Sequence, residues 1–134
     1  MSELTPAMRT FLEERRFGVL ATVGVTGAPR QTVMWFLLEG DEILFNTAVG
    51  RRKPVHLARE PRASLLVEDE YRYVCVSGTV REITDRDTTQ NDIRRLAERY
   101  EGAADAERRM SDHFSKQDRV SYRFRIAAVT SDGF

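Results

Sequence analysis

The sequence has little with which to build a covalent or metal-bound framework. It contains one cysteine, Cys75, among 134 residues, so an intramolecular disulfide is excluded. Its two histidines, His56 and His113, are isolated, and no cysteine, histidine or carboxylate pair has the spacing of metal ligands. We therefore expect no metal site, and we interpret Cys75, which lies in an apolar run, as a buried small hydrophobe.

Long apolar runs and an excess of either charge are also absent. No segment approaches the ~18 consecutive apolar residues of a membrane helix, and the N-terminus has no apolar signal-peptide core. Lysine plus arginine equals aspartate plus glutamate, 21 each, so the formal net charge is zero. General nucleic-acid binders are usually basic overall. We therefore expect a cytoplasmic protein whose partners include neither a membrane nor nucleic acid.

The pattern of apolar residues predicts one domain, 1–134, rich in short strands. The apolar content of 41% is enough for a single core. Period-two runs bounded by turn residues predict strands at 17–23, 30–38, 42–47, 62–67, 71–83 and 120–129, with a bulge or bend at Gly78. Helical spacing predicts helices after Pro6 and at 54–59, 93–100 and 106–114. The fold class is therefore α+β, built on an antiparallel barrel or rolled sheet of about six strands.

Residues 32–38 break the alternation expected of a sheet with one wet face. The segment is apolar on both faces of a strand. One face would line the core, and the other requires a cover, which could be a helix, a second chain or an aromatic ligand. Because symmetric homodimers are the commonest small assemblies, we expect a homodimer.

Three consecutive cations, Arg51, Arg52 and Lys53, precede Pro54, and proline is favoured at the first position of a helix. Cations at a helix N-terminus are unfavourable by up to ~1 kcal/mol each. One interpretation is a solvated loop whose cations pair with neighbouring carboxylates. The other is an anion site, because the free N–H groups of a helix start and adjacent cations bind phosphate or carboxylate.

No segment matches a nucleotide-binding glycine loop or the G-x-S-x-G motif of a serine nucleophile. The sequence therefore identifies no catalytic residue.

Five stretches in order carry a family resemblance: 17–22 with 27–30, 43–47, 51–53, 57–65 and 76–80. With them the chain resembles the split-barrel flavin- and deazaflavin-binding family that includes pyridoxamine 5'-phosphate oxidase. The resemblance implies an antiparallel six-stranded split β-barrel with flanking helices. It also implies a homodimer with the cofactor at the interface.

The resemblance assigns three groups of cofactor-binding residues. Those expected to hold the cofactor phosphate are Arg51, Arg52 and Lys53, with Asn46 and Thr47 beside them. Those expected along the ring are Gln31, Thr32, Val33, Met34 and Trp35. Those expected to reach the site from the second chain are Tyr71 and Tyr73.

The C-terminal stretch 123–129 departs from the oxidases that act on vitamin B6, because it lacks their histidine. The resemblance is instead to the branch that uses the deazaflavin F420. It implies hydride transfer from reduced F420 to a small conjugated acceptor. The alternatives are an FMN-dependent oxidoreductase of the same fold and a non-catalytic protein that binds flavin, deazaflavin or haem.

Overall fold

A computed structural model describes residues 3–134 and places all of their strands in one antiparallel sheet. The seven strands are β1 (Gly18–Val23), β2 (Pro29–Met34), β3 (Leu37–Glu39), β4 (Glu42–Ala48), β5 (Arg62–Asp69), β6 (Arg72–Ile83) and β7 (Arg119–Asp132). Their order across the sheet is β2-β1-β5-β6-β7-β4-β3.

The sheet is rolled, because its two edge strands follow one another in the chain. Strands β2 and β3 lie at opposite edges, yet only Trp35 and Phe36 separate them. Three residues of extended chain span at most about 11 Å, so the edges must lie close together. The sheet therefore curls into a barrel that stays open along the seam between β2 and β3, which confirms the predicted fold class.

The prediction of a single strand at 30–38 is wrong. The segment forms two strands, β2 and β3, which raises the count from six strands to seven. At the break, the hydroxyl of Tyr100 takes the place of a neighbouring strand. It accepts a hydrogen bond from the Phe36 N–H at 3.2 Å and lies 3.2 Å from the Phe36 carbonyl and 2.6 Å from the Arg16 carbonyl. The backbone groups of Phe36 are thus satisfied without a strand ladder.

Four α-helices and a 3-10 turn flank the sheet. They are α1 (Pro6–Glu13), α2 (Arg52–Arg59), α3 (Arg86–Glu101), α4 (Ala103–Asp112) and the turn Phe114–Lys116. The start of α1 is as predicted, since Thr5 caps it by accepting from the Met8 N–H at 3.2 Å. None of the helices within residues 3–134 has the length and apolarity to cross a membrane.

The apolar stretch 32–38 is divided between two clusters of the same chain. Met34 and Phe36 point into the barrel core, whereas Trp35 and Leu37 pack against a cluster that includes Ile93 of α3. The second face is therefore covered by helices, and this stretch is the wrong reason to expect a second chain. Thr32 and Val33, at the start of the stretch, stay exposed, and Val33 is 66% exposed.

The predicted irregularity at Gly78 is present as a shift of register between β6 and β7. A Cβ atom on Gly78 would lie 1.8 Å from the carbonyl oxygen of Arg125. The close approach of the two backbones therefore requires glycine at this bulge. The extra residue, Ala127, lies on β7, so the bulge bends β7, the longest strand, and helps the sheet to curl.

Candidate functional site

Two cavities that share a wall lie where the edge of β2, the end of β4 and the start of α2 meet. The larger, about 790 Å³, is an open groove lined by Thr22, Pro29, Arg30, Gln31, Thr32, Val33, Thr47, Arg51, Arg52, Lys53 and His56. The smaller, about 260 Å³, is lined by Phe17, Val33, Met34, Trp35, Asn46, Thr47, Arg51, Lys53, Ile93, Leu96, Phe114 and Arg119. The shared wall consists of Val33, Thr47, Arg51 and Lys53.

The structure brings ten of the twelve predicted site residues to these two cavities. Those at the larger cavity are Gln31, Thr32, Val33, Thr47, Arg51, Arg52 and Lys53, and those that the smaller one adds are Met34, Trp35 and Asn46. Strand β2 is an edge strand whose residues 29–33 are all exposed, so this face of the chain is open to a ligand.

Tyr71 and Tyr73 do not reach either cavity within one chain. Tyr71 lies in the turn between β5 and β6 and is 90% exposed, and Tyr73 is half-buried opposite Glu68. Their predicted role depends on a second chain and stays a prediction.

The start of α2 differs from the prediction by two residues. Arg51 is the N-cap, Arg52 and Lys53 begin the first turn, and Pro54 is the third helical position rather than the first. Proline is tolerated there because the first N–H groups of a helix have no partner within the helix. No side chain caps this end and its first turn has no acidic residue, so its free N–H groups favour an anion.

The cations around the two cavities have no carboxylate partners within the described residues. None of the ion pairs formed among residues 3–134 includes Arg30, Arg51, Arg52, Lys53 or Arg119. The interpretation of a solvated loop paired with neighbouring carboxylates is therefore wrong. The cluster is an excess of positive charge in a protein of zero formal net charge.

Burial and repulsion by a neighbouring cation lower the pKa of two of these cations, Lys53 and Arg119. Burial lowers the pKa of Lys53, and the neighbouring Arg51 lowers it further. Burial also lowers the pKa of Arg119 to about 10, again with a contribution from Arg51. A bound anion would oppose both effects, because an opposite charge favours the charged form.

The hydroxyl of Thr47 has no hydrogen-bond partner among the described residues, although Thr47 is only 1% exposed. An unsatisfied buried hydroxyl costs roughly 1–3 kcal/mol. Thr47 lines both cavities beside Arg51 and Lys53. A phosphate oxygen would accept a hydrogen bond from this hydroxyl, so the donor set fits a phosphate-bearing ligand.

Asn46 supports the site rather than offering a free amide to it. Its Nδ2 donates to the Thr89 carbonyl at 3.0 Å and to the Ser121 hydroxyl at 2.8 Å. Its Oδ1 accepts from Nε of Arg119 at 2.6 Å. Asn46 thus fixes the position of Arg119.

Sequence reasoning missed three polar residues of the cavities, Thr22, His56 and Arg119, as well as apolar ones. The sequence does contain a signal for Thr22, because a polar residue at an inward-facing position of a strand indicates a functional or structural contact. The Oγ1 atom of Thr22 lies 3.4 Å from Nδ1 of the buried His56. Arg119 gives no local signal, because its partner Asn46 is 73 residues away. Within residues 3–134, no cluster of three or more potential metal ligands occurs.

A rolled antiparallel sheet, open along one seam and with a cationic groove beside that seam, defines a split-barrel domain. The family model of pyridoxamine 5'-phosphate oxidase matches residues 4–131, and the chain therefore belongs to this family. Its members bind flavin-type cofactors.

Solved structures with the same fold differ in function. An F420 reductase is 28% identical, with a TM-score of 0.76 over 95% of this chain and 98% of that one. A conserved hypothetical protein from Mycobacterium tuberculosis is 29% identical, with a TM-score of 0.81 over 96% and 84%. A haem storage protein from Vibrio cholerae, 22% identical with a TM-score of 0.74 over 98% and 96%, shows the fold alone. The search of curated proteins gave no match.

Proposed function

We propose that this protein is an F420-dependent oxidoreductase that reduces a small conjugated organic acceptor. The observation that carries the proposal is the groove at the start of α2, where cations without carboxylate partners surround the unpartnered Thr47 hydroxyl. Similarity to an F420 reductase over nearly the whole of both chains supports the choice of cofactor.

The residues of the groove would divide the binding of the cofactor between them. Arg51, Lys53 and Thr47 would hold the phosphate, because they lie together on the wall that both cavities share. The exposed strand β2 would lie along the ring system. When bound, reduced F420 supplies a hydride, and the chain contributes position, charge and the exclusion of water.

The preference for F420 over FMN would come from charge beyond the phosphate. Both cofactors have a ring, a ribityl chain and a phosphate, so a groove that fits one fits the other. F420 adds an oligoglutamate tail, and Arg30 and Arg52 are exposed cations on the same groove. One further charge-assisted contact worth about 1.4 kcal/mol gives a tenfold preference.

We expect F420 to bind at least tenfold more tightly than FMN, and the difference to shrink as salt rises, because exposed ion pairs are screened. Parallel fluorescence titrations at low and moderate ionic strength measure both effects. Equal affinities, or tighter binding of FMN, would replace this proposal with the FMN-dependent alternative. Tight binding without hydride transfer to any acceptor would favour a non-catalytic binding protein.

The outer face of the sheet offers a surface for the proposed homodimer. The register aligns Val33, Val19, Leu66 and Cys75 in one row across β2, β1, β5 and β6. Val33 and Leu66 are 66% and 37% exposed, and Cys75 is half-buried rather than buried as predicted. An apolar row across four strands is a candidate interface, and it continues into the groove through Val33.

The dimer prediction has a direct test in light scattering at low micromolar concentration. We expect about twice the chain mass of 15.4 kDa, since an obligate interface buries on the order of 2,000 Å² or more. Leu66→Arg should give monomers, whereas Val25→Arg, in the exposed turn after β1, should not. A monomeric wild-type protein would also remove the predicted role of Tyr71 and Tyr73.

A further inference from the structure

Arg119 is a buried cation whose charge is not balanced within the described part of the chain. It is 8% exposed and begins β7, where the register pairs it with Ala48 at the end of β4. Its Nε and Nη1 donate to the side-chain oxygens of Asn46 and Gln117, which are both neutral amides. Within residues 3–134, its Nη2 has no hydrogen-bond partner.

An unpaired buried charge is costly, and the surroundings of Arg119 increase that cost. Two further cations, Arg51 and Lys53, line the same cavity. The guanidinium lies over the ring of Phe114, 4.8 Å from its centroid, which orients the planar group but supplies no negative charge. An anion would offset this charge, and a planar carboxylate is the natural partner of a guanidinium fork.

Apart from its cations, Asn46 and Thr47, the smaller cavity is apolar and aromatic. Trp35 stacks on Tyr100, with centroids 5.3 Å apart and planes inclined by 5°, and it meets Phe114 edge-on at 6.5 Å. Ile93 and Leu96 of α3 complete this wall. The volume of about 260 Å³ is below the roughly 300–1,000 Å³ of sites for drug-sized ligands. It therefore suits a small planar molecule.

We propose that the smaller cavity is the acceptor subsite and that it selects a small, planar, conjugated acid whose carboxylate binds Arg119. This assignment rests on the proposed function, because it takes the ligand to be the molecule that is reduced. The two cavities share Val33, Thr47, Arg51 and Lys53, so a molecule in the smaller one lies next to a cofactor in the groove. The tail carboxylates of F420 share the same chemistry and are the competing occupant.

The fluorescence of Trp35, the single tryptophan of the chain, reports directly on this cavity. The full-length protein without cofactor is titrated with benzoate and with benzamide, its neutral isostere. We expect benzoate to bind at least tenfold more tightly. Equal binding of the two probes, or no response of Trp35 to either, would overturn the subsite.

Variants of β7 assign that preference to Arg119. In Arg119→Gln the preference for benzoate should fall to within twofold, whereas Arg119→Lys should keep part of it. The matched control is Arg125→Gln, an exposed arginine of the same strand outside both cavities, which should keep all of it. A full preference for benzoate in Arg119→Gln would contradict the role of Arg119. If that variant does not fold, the titration of the wild-type protein still tests the subsite.

A calorimetric titration of benzoate into F420-saturated protein distinguishes the two occupants. Benzoate affinity within threefold of that of the cofactor-free protein supports an acceptor subsite. Competitive loss of benzoate binding would assign the cavity to the cofactor tail and overturn the proposal. The benzoate preference is measured without deazaflavin, so a failure of F420 to bind would refute the proposed cofactor separately.

Discussion

Replacing Lys53 with alanine should weaken the binding of F420 at least tenfold without lowering the free energy of unfolding. Lys53 lies on the wall shared by the two cavities, beside Arg51 and Thr47. Hydrogen bonds to charged groups contribute about 1.5–3 kcal/mol, and about 1.4 kcal/mol is a factor of ten in affinity. Titration of F420 into wild-type and variant protein measures the loss.

The expected stability of the Lys53→Ala protein follows from the electrostatics of the free site. Lys53 forms no ion pair within residues 3–134, and burial together with Arg51 lowers its pKa. Its removal therefore relieves desolvation and repulsion and breaks no salt bridge. Urea denaturation should give a free energy of unfolding equal to or above that of the wild type. A ligand-binding role separates affinity from stability in this way, whereas a structural role would lower both.

The chain provides a matched control in its only other lysine, Lys116, which is exposed and lies outside both cavities. Lys116→Ala should leave the affinity for F420 unchanged. If Lys53→Ala and Arg51→Ala both bind F420 as tightly as the wild type, the phosphate site has been placed wrongly.

The cationic part of the site could be predicted from the sequence because its signals are local. Arg51, Arg52 and Lys53 are adjacent, and a turn and a proline place them at a helix start. The prediction erred by two residues in the start of α2, because Pro54 is compatible with any position of the first turn. That error leaves the three cations at the same end of the same helix.

The features that the sequence did not reveal depend on distant partners. The division of the predicted second strand follows from the Tyr100 hydroxyl, which is 64 residues from Phe36. The position of the Arg119 guanidinium depends on Asn46, 73 residues away. Period-two patterning predicts which residues of a strand face inward, but it does not reveal which distant side chain satisfies a polar group.

The apolar stretch 32–38 shows how a correct pattern can lead to a wrong cause. From Met34 to Leu38 both faces of the segment are covered as predicted, but the cover of the second face is α3 and not a second chain. Periodicity shows that a face is buried and does not identify its partner. The stronger reason for a dimer is the outer row from Val33 to Cys75, which becomes visible only once the register of four strands is known.

Asp92→Ala should lower the free energy of unfolding more than the other single substitutions proposed. It breaks a buried ion pair that fixes α3 to the sheet. Arg123 of β7 donates to both carboxylate oxygens of Asp92, at 2.7 and 3.2 Å. The two side chains are 13% and 2% exposed. Removal of one partner leaves an uncompensated buried charge, which typically costs about 3–5 kcal/mol.

The control for Asp92→Ala is Glu107→Ala, which removes an exposed ion pair between α4 and the same helix, α3. Glu107 lies 2.7 Å from Arg94, with side chains 67% and 41% exposed, and such pairs contribute about 0–1 kcal/mol. Urea denaturation of both variants gives the comparison, and equal losses would contradict the structural role of Asp92. The double variant Asp92→Leu, Arg123→Met should recover most of the stability, because it leaves no unpaired charge. Since Ile93 and Leu96 of the same helix line the smaller cavity, Asp92→Ala should also weaken benzoate binding, and the double variant should restore it.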